Sequence, residues 1–62
     1  MLLKEKLLHL AAKASQLRVE LEALRKAEIP QGLPAGMSHE MGIALYSLMT
    51  VEKKLITLAG KV

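Results

Sequence analysis

Side chains able to perform chemistry are few in this chain, and they are far apart. There is no cysteine, so disulfides and thiolate metal sites are excluded. His9 and His39 are separated by most of one predicted helix and a loop, so we expect no shared metal site. No nucleophile and base stand at motif spacing, and there is no phosphate-binding glycine loop. We therefore predict no catalytic residues, no metal and no cofactor, and a protein that is not an enzyme.

One carboxylate, Glu52, lies in the apolar half of the second predicted helix. A buried carboxylate needs a partner, and in an antiparallel pair Glu52 should lie level with His9 and Lys13. Either Glu52 lies at the edge and reaches solvent, or it forms a buried pair that sets helix register or partner choice. A catalytic acid is not expected, because no second acid, nucleophile or metal-binding set converges on it.

The lysines are concentrated towards one end of the predicted hairpin, where both termini lie. Six lysines there stand against two glutamates, whereas the loop half has three basic residues against four glutamates. This end is either a solvated surface with lysines near a helix carboxyl end, or a site for phosphate or anionic lipid. The only aromatic residue available for stacking is Tyr46. The candidate anion-binding set comprises Lys4, Lys6, Lys13, Lys53, Lys54 and Lys61.

The first element that must position these groups is a long amphipathic helix, predicted at about residues 2–28. Apolar residues recur at alternating spacings of four and three, without an interrupting glycine or proline, which indicates a heptad seam. Strong helix formers fill most of the other positions. The seam comprises Leu3, Leu7, Leu10, Ala14, Leu17, Leu21 and Leu24.

A loop is predicted at about residues 29–38. Pro30 cannot donate the helical hydrogen bond, and it biases the residue before it away from helical geometry. Gly32 and Gly36 give the backbone freedom to turn. Ser38 is expected to cap the second helix, with Glu40 in its first turn.

The second helix is predicted at about residues 39–59, with Gly60 as its stop. Its apolar residues cover about half of the circumference, which is wider than one neighbouring helix can cover. The seam comprises Met41, Ala44, Leu48, Val51, Leu55, Leu58 and Val62, flanked by Leu45, Met49, Ile56 and Ala59. The predicted interface residues are Leu3, Leu7, Leu10, Leu17, Leu21, Leu24, Met41, Leu45, Leu48, Val51, Leu55 and Leu58.

Two further features favour assembly beyond one hairpin. The first helix carries a second apolar stripe, interpreted either as ordinary exposed apolar residues or as a second interface, made of Leu8, Ala12, Val19 and Ala23. The first helix is also longer, about 40 Å against about 30 Å, so its amino end should overhang and leave Leu2 and Leu3, and at most also Leu7, uncovered. We predict an all-α protein: an antiparallel helical hairpin that assembles into a four-helix bundle or a larger helical oligomer.

Size and composition agree with that prediction. A chain of 62 residues forms one domain at most, here residues 1–62, and is marginally stable alone. Hydrophobic residues make up 52% of the chain and aromatic residues 2%, which is typical of helix-on-helix packing. The longest uncharged run of the second half, residues 41–51, is about half of the ~20 residues needed to span a bilayer. Lack of cysteine fits a reducing compartment, so we predict a cytoplasmic protein.

For function, we predict a small helical oligomerisation or protein-interaction module that acts as an adaptor, assembly factor or small regulator. Its partner is expected to be another copy of the chain or another helical protein. The alternative is a small basic helical regulator that binds nucleic acid through the lysine-rich open end; the net charge of +3 permits anionic partners without demanding them. A peripheral membrane amphipath is the least favoured class, because heptad seams specify helix partners.

Overall fold

The computed structural model describes residues 2–62 and contains two antiparallel helices packed side by side. Helix α1 spans Leu2–Glu28 and helix α2 spans Met37–Ala59, and no strand occurs within the described residues. A short 3-10 turn, Ile29–Gln31, follows α1. The Cα atoms extend over 47 × 15 × 9 Å, so the hairpin is a flat plate with two broad faces. The predicted all-helical hairpin is confirmed.

The turn is built by the proline and glycine residues of the loop. Pro30 lies in the first turn of the 3-10 helix, where its missing N–H costs nothing. Gly32 and Gly36 have φ of 85° and 80°, a left-handed conformation that residues with a side chain rarely adopt. Backbone bonds close the turn: the N–H of Gly32 donates to the carbonyl of Ile29 at 3.1 Å. The loop therefore reverses the chain over a short distance.

Helix α2 begins two residues before the start that was expected at His39. The residue before its first turn is Gly36, whose carbonyl accepts the N–H of Glu40 at 3.0 Å. The prediction that Ser38 is the N-cap is wrong, because the left-handed Gly36 already turns the chain into the helix. The Ser38 hydroxyl instead accepts a hydrogen bond from Arg25 Nε at 3.3 Å. Ser38 thus ties the two helices together near the loop.

The core between the helices is thin and rich in alanine. Ala11, Ala14, Leu45 and Ala59 are buried, and Leu45 is the only large side chain among them. Alanines on both helices allow a close approach but remove little apolar surface from water. Partly buried side chains complete the contact, including Leu7, Leu21, Met41, Leu48 and Leu55. Two helices alone thus leave much of their apolar surface exposed.

The predicted overhang at the amino end of α1 is present. Leu2 and Leu3 are 62% and 48% exposed, whereas Leu7, one turn further on, is partly buried. The exposed leucines therefore begin at the open end of the hairpin.

Candidate functional site

The predicted seam of each helix divides into an inward row and an exposed row. In α1 the contact with α2 is made by Leu7, Ala14 and Leu21 together with Ala11, Arg18 and Arg25. In α2 it is made by Met41, Leu48 and Leu55 together with Leu45, Glu52 and Ala59. The other row of each predicted seam lies in solvent: Leu3, Leu10, Leu17 and Leu24 in α1, and Ala44, Val51 and Leu58 in α2. We call these seven exposed residues the leucine face.

The leucine face is strongly exposed and regularly spaced. Its four leucines in α1 are 48 to 54% exposed, and Val51 and Leu58 are each 47% exposed. Both rows repeat every seven residues, which keeps each row on one side of its helix. Such a continuous apolar row is unlike scattered surface leucines, and it marks a candidate contact surface.

The two rows share one face of the plate. Every residue of the leucine face beyond Leu3 directly precedes a contact residue, as Leu17 precedes Arg18 and Val51 precedes Glu52. It therefore lies about 100° to the same side of the contact line in both helices. In an antiparallel pair the same flank of both helices belongs to the same face. The opposite flank bears this out, because Glu22 and Met49, which directly follow contact residues, line one common groove.

That groove lies on the second broad face, which we call the groove face. Its volume is about 520 Å³, and its lining mixes charged, aliphatic and aromatic residues. Of the predicted second interface, Val19 and Ala23 line the groove, whereas Leu8 and Ala12 are exposed outside its lining. Tyr46, assigned from the sequence to the polar half of α2, also lines the groove and is 66% exposed.

Glu52 pairs with Arg18. Arg18 Nη2 donates to Glu52 Oε1 at 3.3 Å, with 38% and 22% of the two side chains exposed. Lys13 lies level with Glu52 as expected, but neither Lys13 nor His9 is its partner, because both of those residues lie on exposed sides of α1. Arg18 instead belongs to the contact row and reaches Glu52 with its long side chain. Arg18 Nε is buried without a hydrogen-bond partner among the described residues.

Two side-chain hydrogen bonds, and the approach of one arginine to a glycine, indicate the relative height of the helices. They join Arg25 with Ser38, Arg25 with the position of Gly42, and Arg18 with Glu52. The residue numbers of these pairs total 63, 67 and 70. Because the helices run in opposite directions, the sum of the two residue numbers is nearly the same for any pair of residues that lie level. In this hairpin that sum lies between 63 and 70.

A polar rim follows each long edge of the leucine face. Lys13, for example, lies three residues after Leu10 and four before Leu17, just outside their row. The rim of α1 contains Lys6, Lys13 and Glu20, and the rim of α2 contains Glu40, Ser47 and Lys54, followed by Lys61 two residues beyond the end of the helix; all are exposed. Sequence reasoning did not assign Glu20 and Glu40 to the rim of the leucine face. Each lies three or four residues from a residue of an apolar row, and that spacing was a usable signal.

The six lysines of the candidate anion-binding set do not converge on one surface. Lys6 and Lys13 follow one edge of the leucine face, Lys54 and Lys61 follow the other, and Lys53 lies on the far flank of α2. A cavity of about 420 Å³ at the open end is lined by Leu2, Glu5, Lys6, His9 and Leu10, so it contains a single lysine of the set.

Within residues 2–62, no group of three or more histidine and acidic side chains is arranged to hold a metal ion. His9 and His39 line separate cavities. In the same part of the chain, neither helix is long and apolar enough to cross a membrane.

Comparisons of the chain with protein-family models, with curated proteins and with solved structures gave no match. Function is therefore inferred from the surfaces of the hairpin itself.

Proposed function

We propose that this protein is a small helical protein-interaction module, acting as an adaptor, assembly factor or small regulator, and that the leucine face is its binding surface. The observation that carries the proposal is the pair of exposed apolar rows, which repeat every seven residues on both helices and share one face. Seven-residue apolar spacing is what a helix needs to pack along another helix. The occupant that fits this surface is therefore helical.

The size of the surface supports the same function. The Cα extents of 47 and 15 Å give each broad face a footprint of about 700 Å², close to the ~800 Å² that each partner contributes to a stable interface. The centre of the leucine face is apolar and its edges are charged, which is the usual anatomy of a protein interface. Covering this face would also supply the burial that the thin core between the helices lacks.

The alternative function, nucleic-acid binding through the lysine-rich open end, has less support. Binding of a phosphate backbone gains from cations that lie along one surface. Four of the six lysines are instead divided between the two edges of an apolar face. The predicted second interface of Leu8, Ala12, Val19 and Ala23 stays a prediction, and of these residues Val19 and Ala23 line the groove.

Site-specific photocrosslinking in cells tests the proposal. A photoreactive amino acid replaces Leu17, at the centre of the leucine face, or Ile43 as the matched control. Ile43 is also an exposed apolar residue, 49% against 54%, but it lies on the side of α2 away from α1. We expect a covalent adduct with a polypeptide, whether this chain or another, from position 17 and not from position 43. Equal yields at both positions, or no adduct at either, would contradict the proposed binding surface.

A further inference from the structure

We infer that the helical partner on the leucine face is a second copy of this chain, packed face to face with its loop at the opposite end. The inference rests on the proposed function, since it takes the leucine face to be a protein interface, and it names the occupant and its orientation. The twofold axis runs across both helices, perpendicular to them, at the level of Leu17 and Val51. In this arrangement α1 lies on α1 of the second copy, and α2 lies on its α2.

Three residues of each apolar row are centred for such an axis, and Leu3 is left outside the paired set. Leu17 is the middle of Leu10, Leu17 and Leu24, and Val51 is the middle of the three leucine-face residues of α2. One straight axis can serve both helices only if those two centres lie level. Their numbers total 68, which falls within the range of 63 to 70 that marks level residues in this hairpin. Both rows can therefore pair with their own copies at the same time.

The pairing gives six of the seven leucine-face residues an apolar counterpart. Leu17 meets Leu17 of the second copy, and Leu10 meets its Leu24. In α2, Val51 meets Val51 of the second copy, while the small Ala44 faces its Leu58. Leu3 lies level with the turn of the second copy and has no counterpart on its leucine face. The other six side chains cover one another, as the symmetric contact of a homodimer requires.

The charged rims fit the same axis without adjustment. The twofold axis places Lys13 beside Glu20 of the second copy, to within one residue, or about 1.5 Å along a helix. It likewise places Glu40 beside Lys61 of the second copy, and Lys54 beside the neutral Ser47. Symmetry doubles each contact, so the dimer has four pairs of opposite charges along its edges. None of these rim contacts joins two like charges.

The other face-to-face dimer has both loops at one end and places α1 on α2 of the second copy. Level residues then meet, so Lys13 lies beside Lys54 and Lys6 beside Lys61, since each pair of numbers totals 67. Symmetry gives four like-charged contacts in place of four attractive ones. Exposed ion pairs add little affinity individually, but like charges placed together discriminate strongly against a wrong arrangement. The apolar rows thus supply the affinity, and the rims select the orientation.

The first test is the mass in solution with a charge reversal. Sedimentation equilibrium should give a dimer for the native chain. Lys13→Glu alone and Glu20→Lys alone should each weaken dimerisation by about tenfold, because each turns two attractive contacts into repulsive ones. The double variant Lys13→Glu/Glu20→Lys should restore the native affinity. Neither residue has an oppositely charged neighbour three or four positions away in its own helix, so the restoration reports contact between copies.

The second test determines orientation with single cysteines, which the native chain lacks. With a short bismaleimide, Leu17→Cys alone and Val51→Cys alone should each give a crosslinked dimer, because both lie on the axis. The control Ile43→Cys should stay monomeric. Crosslinking only in a mixture of the position-17 and position-51 variants would overturn the orientation.

The two proposals fail in different ways. A monomeric mass together with a position-17 photoadduct to another protein would overturn the second copy as partner and leave the interaction module standing. A monomeric mass with no specific photoadduct at position 17 would overturn both.

Discussion

The two broad faces of the hairpin flank the same line of contact, yet they differ in how their residues are ordered. The leucine face presents two apolar rows at seven-residue spacing, and its charged residues lie along the two edges. The groove face mixes Val19 and Met49 with Arg18, Glu22 and Lys26 around one depression. Exposed apolar residues occur on both faces. Tyr46 on the groove face is 66% exposed, against 54% for Leu17 on the leucine face. Periodicity and the arrangement of charges, more than exposure alone, therefore distinguish the proposed interface from the rest of the surface.

The strongest way to break this comparison is to make the leucine face polar. In Leu10→Gln/Leu17→Gln, dimerisation should weaken by at least about a thousandfold, since burying each leucine contributes ~1.5–3 kcal/mol and four are altered per dimer. The matched pair Leu8→Gln/Val19→Gln on the other flank should change the dimer affinity less than about threefold. Sedimentation equilibrium measures both. Equal loss in the two pairs would mean that the faces are not different in function.

The next largest effect is expected for the buried core between the two helices. Leu45 is 8% exposed, so Leu45→Ala should lower the free energy of unfolding by about 2–4 kcal/mol. Tyr46→Ala, at the neighbouring exposed position, should stay within about ±0.5 kcal/mol. Urea unfolding followed by circular dichroism, at one fixed chain concentration, compares them. A larger loss for Tyr46→Ala would show that the groove face is packed against something in solution.

A smaller effect is expected for the ion pair between the helices. A double-mutant cycle with Arg18→Gln and Glu52→Gln should give a coupling of up to about 1 kcal/mol, because Arg18 is more than a third exposed and solvent screens the pair. Unfolding of the four variants in low salt gives this coupling, and it should fall when salt is added. A coupling above about 2 kcal/mol that resists salt would indicate that assembly buries the pair.

The smallest effect is a gain. Gly42 lies inside α2, and a methyl group there would meet the tip of Arg25 at 3.8 Å, an ordinary contact with a flexible side chain. Gly42→Ala should therefore raise the free energy of unfolding by about 0.5–1 kcal/mol, through helix propensity alone. The same measurement on Gly36→Ala is the contrast: its φ of 80° should make that variant destabilising. A loss at both glycines would show that Arg25 needs the space at Gly42.

Local chemistry in the sequence determined the helices, the place of the turn and the apolar residues from which the interface is proposed. Pro30 ends the first helix, Gly32 turns the chain, and the four-and-three spacing selects the apolar half of each helix, because these effects act over one or two turns. Leu10, Leu17, Leu24, Val51 and Leu58 are predicted interface residues on this basis. The start of α2 could not be found from Ser38, because the N-cap residue is Gly36, whose left-handed conformation begins the helix two residues earlier.

Only the tertiary structure decided which apolar row turns inward. In α1 the row of Leu10 contains four leucines, whereas the row of Leu7 contains two leucines and Ala14, so hydrophobicity alone would favour the row of Leu10 as the inward one. The choice follows from the close approach of the helices at Ala11 and Ala14, which rotates Arg18 into the contact and Leu17 out of it. The inward row is therefore selected by what it meets across the contact. That is a property of two helices at a given distance and height, and no single helix contains it.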